Sequence, residues 1–159
     1  MPTTFPSSVT TVTPDAVLGY RRRGWTVTET ANGVCLITDD QISAVELTGA
    51  LAATARRFLR ANNLSGPVIE IPGPQRREIH LVVGLAKATM AVNALRSAGA
   101  TVHTDSASIP LPLTRLSTGS ACWGISPSEA RWIPPVVAIA AAVRAAEAGR
   151  KFHLTGVAC

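Results

Sequence analysis

The chain has 159 residues, a formal net charge of +5 at pH 7, and 47% hydrophobic against 16% charged residues. This balance predicts one domain with a packed core and excludes global disorder. It also excludes a membrane-spanning segment, because the most apolar stretch, residues 133–143, is short and contains Pro134 and Pro135; we expect no membrane partner.

The N-terminal region predicts a flexible arm followed by a helix. Residues 1–13 are rich in Thr, Ser and Pro and lack the basic start and apolar centre of a signal peptide, so we expect a mobile arm on a cytoplasmic protein. Thr13 is a candidate N-cap with Pro14 at the first helical position, and Gly24 is a typical stop. A single domain is therefore expected over residues 14–159.

The next segments predict a β-hairpin. Residues 25–28 alternate between apolar and polar side chains, and residues 34–37 are apolar. The Asn32-Gly33 pair between them is typical of a tight turn.

A long helix is predicted after the hairpin. Ser43 and Glu46 have the spacing of a capping box, which indicates that a helix begins there. Apolar residues then recur at helical intervals as far as Leu59, and Asn62-Asn63 indicates the end of the helix.

The second half of the chain predicts further strands and helices. We predict strands at residues 68–71, 78–83, 100–103 and 121–125, helices at residues 85–98 and 134–148, and turns over residues 104–119. Hairpins are thus joined by helices in the order α-β-β-α-β-β-α-β-β-α. This rhythm predicts an α+β fold with a mixed or antiparallel sheet packed by helices, rather than a doubly wound parallel sheet.

Arginine supplies nearly all of the positive charge and occurs in clusters. The clustered residues are Arg21, Arg22, Arg23, Arg56, Arg57, Arg60, Arg76 and Arg77. If their elements share a side of the domain, they predict a phosphate-binding surface for nucleic acid. The alternative is arginine scattered by GC-rich codon usage. Because aromatic residues are only 4% of the chain, we expect Trp25, Trp123 and Trp132 in the core or at its rim rather than stacked on bases.

Three polar residues fall on one face of the strand predicted at residues 78–83. Successive strand side chains point to opposite faces, so Arg76, Glu78 and His80 lie together, opposite the apolar face. His80 and Arg76 are hydrogen-bond donors suited to the phosphates of a nucleotide. The alternative is an ordinary solvated face with a Glu–His or Glu–Arg contact.

Asp39 and Asp40 form the only adjacent acidic pair, and Asp105 is a third candidate carboxylate. A two-metal site for phosphoryl transfer needs carboxylates that converge on the same ions. Adjacent strand residues diverge, so Asp39 and Asp40 chelate one ion only if the backbone turns there. The alternative is that they cap or solvate a loop.

Several segments in succession resemble the bifunctional primase–polymerase N-terminal domain of the archaeo-eukaryotic primase superfamily. Y-R-R-R-G-W-T-V at residues 20–27 resembles its opening Y-x-x-x-G-W-x-V. Three later segments of the family also have counterparts here. They resemble residues 36–40, which end in acids before the predicted helix, residues 71–83, I-P-G-P-Q-R-R-E-I-H-L-V-V, and residues 99–118. Cys122-Trp123 is similar to its closing Y-x-W, so the likeness extends over roughly residues 15–135.

The resemblance implies a nucleotidyltransferase fold in which His80 contacts a nucleotide triphosphate. The family's first acidic motif is D-x-D, whereas the corresponding residues here end in Asp39 and Asp40. The acid of its third motif falls on Thr101, and Asp105 lies nearby but out of register. The metal ligands implied for this chain are thus Asp39, Asp40 and Asp105, an incomplete set, with Mg²⁺ or Mn²⁺ as cofactor only if the domain is catalytic.

Three functions follow as hypotheses. The first is a primase–polymerase-like domain that has lost nucleotidyl transfer but binds nucleotide or nucleic acid in replication or regulation. The second is an active minimal primase–polymerase with an unconventional metal site. The third is a regulatory module that binds a protein partner on the same scaffold.

Overall fold

The structure is a computed structural model that describes the backbone of residues 13–155 and the side chains of residues 13–150. The predicted arm, apart from Thr13, lies outside the described residues. The helices are α1 (Pro14–Arg22), α2 (Gly49–Ala61), α3 (Thr89–Ser97), α4 (Pro127–Ala130) and α5 (Val136–Thr155), with a 3-10 turn at Leu85–Lys87. The strands are β1 (Val27–Thr30), β2 (Gly33–Ile37), β3 (Ser43–Thr48), β4 (Val68–Ile71), β5 (Arg77–Val82), β6 (Thr101–His103), β7 (Ser108–Pro110), β8 (Arg115–Leu116), β9 (Gly119–Ser120) and β10 (Cys122–Ile125).

The named strands pair in antiparallel fashion into three sheets. The largest has five strands in the order β10-β4-β5-β3-β6, the second has the order β1-β2-β7, and β8 pairs with β9. Five helices accompany these sheets, so the predicted α+β class with antiparallel sheets packed by helices is confirmed. Within residues 13–155, every helix is too short or too polar to span a lipid bilayer.

The five-stranded sheet is buried on both faces. On one face, Val45 and Val82 belong to an apolar cluster that includes residues of α2, α3 and α5. On the other face, Ile69 and Ile79 belong to a second cluster with β1, β2, β7 and α1. The domain therefore has three layers: the three-stranded sheet, the five-stranded sheet and the helices.

The prediction that a helix begins at Ser43 is wrong, because Ser43–Thr48 is the strand β3. This strand lies inside the sheet, between β5 and β6. Ala44 contacts one apolar cluster, whereas Val45 and Leu47 contact the other. A strand buried on both faces carries an almost continuous apolar run, and periodicity alone does not distinguish such a run from a helix.

Glu46 therefore forms no capping box. It accepts hydrogen bonds from Arg77 Nε and Nη2, and His103 Nε2 lies 3.3 Å from its Oε1. The hydrogen bonds from His103 and Arg77 outweigh the effect of burial and lower the pKa of Glu46 to about 2. The helix begins only at Gly49, whose φ of +58° suits a residue without a side chain.

Local signals predicted the other early elements. Thr13 Oγ1 accepts from the backbone N–H of Ala16 and so caps α1, and the hairpin has Val27 opposite Leu36. The turn-rich residues 104–119 nevertheless contain β7, β8 and β9. The helix expected to stop at Gly149 continues to Thr155.

Candidate phosphate-binding site

Four arginines surround one cleft beside α2. The cleft has a volume of about 410 Å³ and is lined by Ala53, Arg56, Arg57, Arg60 and Arg76. The first four recur at i, i+3, i+4 and i+7 on α2, so they share one face of that helix. We call this feature the arginine cleft. Four of the clustered arginines identified in the sequence, Arg56, Arg57, Arg60 and Arg76, thus share a side of the domain.

A buried carboxylate fixes two of these arginines. Arg56 Nη1 donates to Glu78 Oε1 at 2.9 Å, and Arg76 donates to the same oxygen through Nη2 and, at 2.8 Å, through Nε. Glu78 is fully buried, whereas the Arg76 side chain is about half exposed. The two guanidinium groups, which both line the cleft, therefore converge on one buried carboxylate.

Glu70 and Gly124 complete the support of Arg56. Arg56 Nη1 donates to Glu70 Oε1 at 2.6 Å, and Nη2 donates to the carbonyl oxygen of Gly124 on β10 at 3.0 Å. A Cβ atom on Gly124 would come within 2.7 Å of Glu70 Oε1 and 3.0 Å of Arg56 Nη2. The glycine allows the edge strand to approach this ion pair.

The ionisation of Glu78 results from two opposing effects. Burial alone raises the pKa of this carboxyl, because a desolvated charge is costly. His80, whose Nε2 lies 3.5 Å from Oε2, and the hydrogen bonds from Arg56 and Arg76 outweigh burial and hold the pKa at about 2. Glu78 is therefore negatively charged at neutral pH and keeps the guanidinium groups oriented.

The expectation of an exposed polar face is wrong for Glu78 and His80, which are 0% and 1% exposed. The helices cover this face of the sheet. His80 Nε2 lies 3.5 Å from Glu78 Oε2, and in the described part of the chain neither atom has a hydrogen-bond partner. Arginines line the cleft, whereas Glu78 and His80 are not among its lining residues. Direct contact between His80 and a nucleotide stays a prediction.

The charges of the arginine cleft are only partly compensated. Arg56 and Arg76 are paired with Glu70 and Glu78. Arg57 donates to Thr54 Oγ1, and neither Arg57 nor Arg60 has an acidic partner among the described residues. Two positive charges thus remain for an anionic ligand.

The remaining arginines lie elsewhere. Arg21, Arg22 and Arg23 are at the C-terminal end of α1 and do not line the arginine cleft. Arg77 points away from Arg76 and pairs with Glu46. Of the clustered arginines, the structure therefore brings together Arg56, Arg57, Arg60 and Arg76.

The three candidate metal ligands line a separate cleft of about 550 Å³. Asp39 Oδ1 accepts from the backbone N–H groups of Gln41 and Ile42, at 2.8 and 2.9 Å, so this carboxylate caps a loop. Asp40 and Asp105 lie around the same cleft. Over the described residues, no three His, Cys, Asp or Glu side chains are arranged to hold a metal ion. These residues do not fit the paired-ion site that the resemblance implies, and no metal-dependent step is derived from them.

The acidic loop also departs from the order of segments in the resemblance. Asp39 and Asp40 follow β2 in a loop, and the element after them is the strand β3 rather than a helix.

No protein-family model matches the chain, and neither the curated proteins nor the solved structures include a match. The fold and site define a mixed α+β domain with an arginine-lined cleft.

Sequence reasoning missed Glu70 and Gly124. Glu70 is the one charged residue in the apolar strand Val68–Ile71. A lone carboxylate in an otherwise buried strand indicates a cationic partner, because unpaired charges are rarely buried. The role of Gly124 has no comparable signal, since it depends on which helix packs beside β10.

Proposed function

We propose that this domain binds the phosphate groups of a nucleotide or nucleic acid in the arginine cleft, on a primase–polymerase-like scaffold that no longer transfers nucleotides. The observation that carries the proposal is a cleft lined by four arginines, two of which, Arg56 and Arg76, converge on the buried carboxylate of Glu78. Guanidinium groups match the geometry of phosphate oxygens and form charge-assisted hydrogen bonds to them.

The contacts of Glu78 suit such a role. Its carboxylate orients Arg56 and Arg76 before any ligand arrives, so these side chains lose little rotamer freedom on binding. Because the pKa of Glu78 is about 2, the orientation persists throughout the physiological pH range. Arg57 and Arg60 supply the uncompensated charge that attracts a polyanion.

Removing that charge should weaken binding. The double variant Arg57→Ala/Arg60→Ala should bind a fluorescent oligonucleotide at least about 100-fold more weakly than the wild type, because each of the two lost hydrogen bonds to a charged group contributes about 1.5–3 kcal/mol. Fluorescence anisotropy at fixed salt measures the affinity. The matched control is Arg144→Ala, which removes one exposed arginine on α5, away from the arginine cleft.

The same titration separates the other hypotheses. A protein-interaction module predicts no oligonucleotide binding, or equal losses in the double variant and in Arg144→Ala, and either result would contradict the proposal.

The catalytic hypothesis requires divalent ions at Asp39, Asp40 and Asp105, which do not converge in this structure. We further propose a replication or regulatory role in the cytoplasm, with nucleic acid or nucleotide as the partner.

A further inference from the structure

A second basic cleft contains an exposed tryptophan. Arg23, Arg131, Trp25 and Trp132 line this cleft of about 230 Å³ together with two prolines. We call it the tryptophan cleft. Trp132 is 42% exposed and is the one aromatic residue among the exposed large hydrophobic residues of the described chain. Its ring lies at the rim of the core rather than within it.

The tryptophan cleft is held in shape by hydrogen bonds. Trp132 Nε1 donates to the carbonyl oxygen of Ser65 at 3.0 Å, which anchors the indole ring. Arg23 Nη2 donates to Ser128 Oγ at 3.2 Å, which connects the end of α1 to α4. Arg131 ends α4 with a φ of +65°. An anchored aromatic ring in a cleft that two arginines also line resembles the stacking sites by which proteins hold unpaired bases.

The other two clustered tryptophans are engaged in packing. Tyr20 stacks on Trp25 with ring centroids 5.5 Å apart, and Trp123 contacts both rings at 6.4 Å. Trp25 is buried, and its edge reaches the tryptophan cleft. Trp132 takes no part in this cluster, so its exposed surface is available to a ligand.

The two clefts flank the same edge of the large sheet. Gly124 on the edge strand β10 accepts from Arg56 of the arginine cleft. Pro127, three residues further along, lines the tryptophan cleft. Because a chain extends by at most about 3.3 Å per residue, these points are at most about 10 Å apart. One strand of nucleic acid is long enough to occupy both clefts.

We propose that the tryptophan cleft binds an unpaired base of single-stranded nucleic acid, which stacks on Trp132 while Arg23 and Arg131 contact the adjacent phosphates. The proposal rests on the proposed function and specifies its ligand class. In a duplex, the faces of the bases are already stacked, so this site selects single strands.

Two strands of equal length and charge test the inference: oligo(dT) and an abasic oligomer that has the phosphates without the bases. Trp132→Ala should weaken oligo(dT) binding about 10-fold and leave abasic binding unchanged, because stacking contributes about 1–3 kcal/mol per base. Trp132→Phe should retain most of the affinity for oligo(dT). Met90→Ala removes an exposed apolar side chain far from both clefts and should change neither affinity.

The outcomes distinguish this inference from the proposed function. Equal effects of Trp132→Ala on the two oligomers, or no effect on either, overturn the stacking site. If Arg57→Ala/Arg60→Ala still weakens binding to both strands in that case, the arginine cleft stands without it. If the wild-type protein binds neither strand, both proposals fall. Circular dichroism of Trp132→Ala, with Trp132→Phe as the rescue variant, separates loss of stacking from loss of fold.

Discussion

Replacing Arg56 with alanine should lower the free energy of unfolding by about 3 kcal/mol, because it leaves the carboxylate of Glu78 buried with one partner fewer. Arg76 still pairs with Glu78 from its exposed position, which keeps the loss at the lower end of the range for broken buried ion pairs. Urea denaturation, with the slope checked for constancy, measures the change.

Neighbouring variants make this result specific. Arg57→Ala removes the next arginine of the same helix, which is more exposed and has no ion pair, and should change the stability by less than about 0.5 kcal/mol. Arg56→Met combined with Glu78→Leu should recover much of the loss, since apolar residues often replace a buried ion pair without cost. Equal losses in Arg56→Ala and Arg57→Ala would show that the buried pair does not stabilise this fold.

Acid should destabilise the protein through the same carboxylate. The pKa of Glu78 is about 2 in the folded state against an ordinary value of 4.5, so the unfolded chain takes up a proton first as the pH falls. The stabilisation from Glu78 is complete above pH 4.5 and is lost between pH 4.5 and 2. At 1.36 kcal/mol per unit of pKa, the loss is about 3 kcal/mol.

The variant Glu78→Gln isolates this contribution. It should be less stable than the wild type at pH 7, and its stability should fall by about 3 kcal/mol less than that of the wild type between pH 4.5 and 2. Glu46→Gln is the comparison, because the pKa of Glu46 is also about 2 and its partners lie on the other face of the sheet. Identical pH profiles for the wild type and Glu78→Gln would contradict the assigned ionisation.

The sequence predicted the elements whose signals are local. Thr13 caps α1 through its own hydroxyl, and the β1–β2 hairpin turns at Ala31-Asn32, one residue before the predicted pair Asn32-Gly33. The strand β3 was missed because it is buried on both faces and therefore carries an almost continuous apolar run. The helix α2 follows directly, so the apolar residues of β3 were counted with those of the helix. Burial between two layers is a property of the assembled sheet, which local patterns do not contain.

The candidate site was predictable only where its residues belong to one element of secondary structure. Arg56, Arg57 and Arg60 are spaced for one helix face, so their convergence follows from the sequence. The burial of Glu78 and His80 does not follow from it, because it depends on α2 packing over β5. Likewise, the position of Trp132 beside Arg23 depends on contacts between residues far apart in the chain.

The salt dependence of oligonucleotide binding tests the central claim most directly. Each phosphate contact to a single strand contributes about 0.7 to the slope of log affinity against log salt concentration. We expect the slope for Arg57→Ala/Arg60→Ala to be shallower than that of the wild type by about 1.4, whereas Arg144→Ala should retain the wild-type slope. Parallel slopes for the wild type and the double variant would contradict phosphate binding in the arginine cleft.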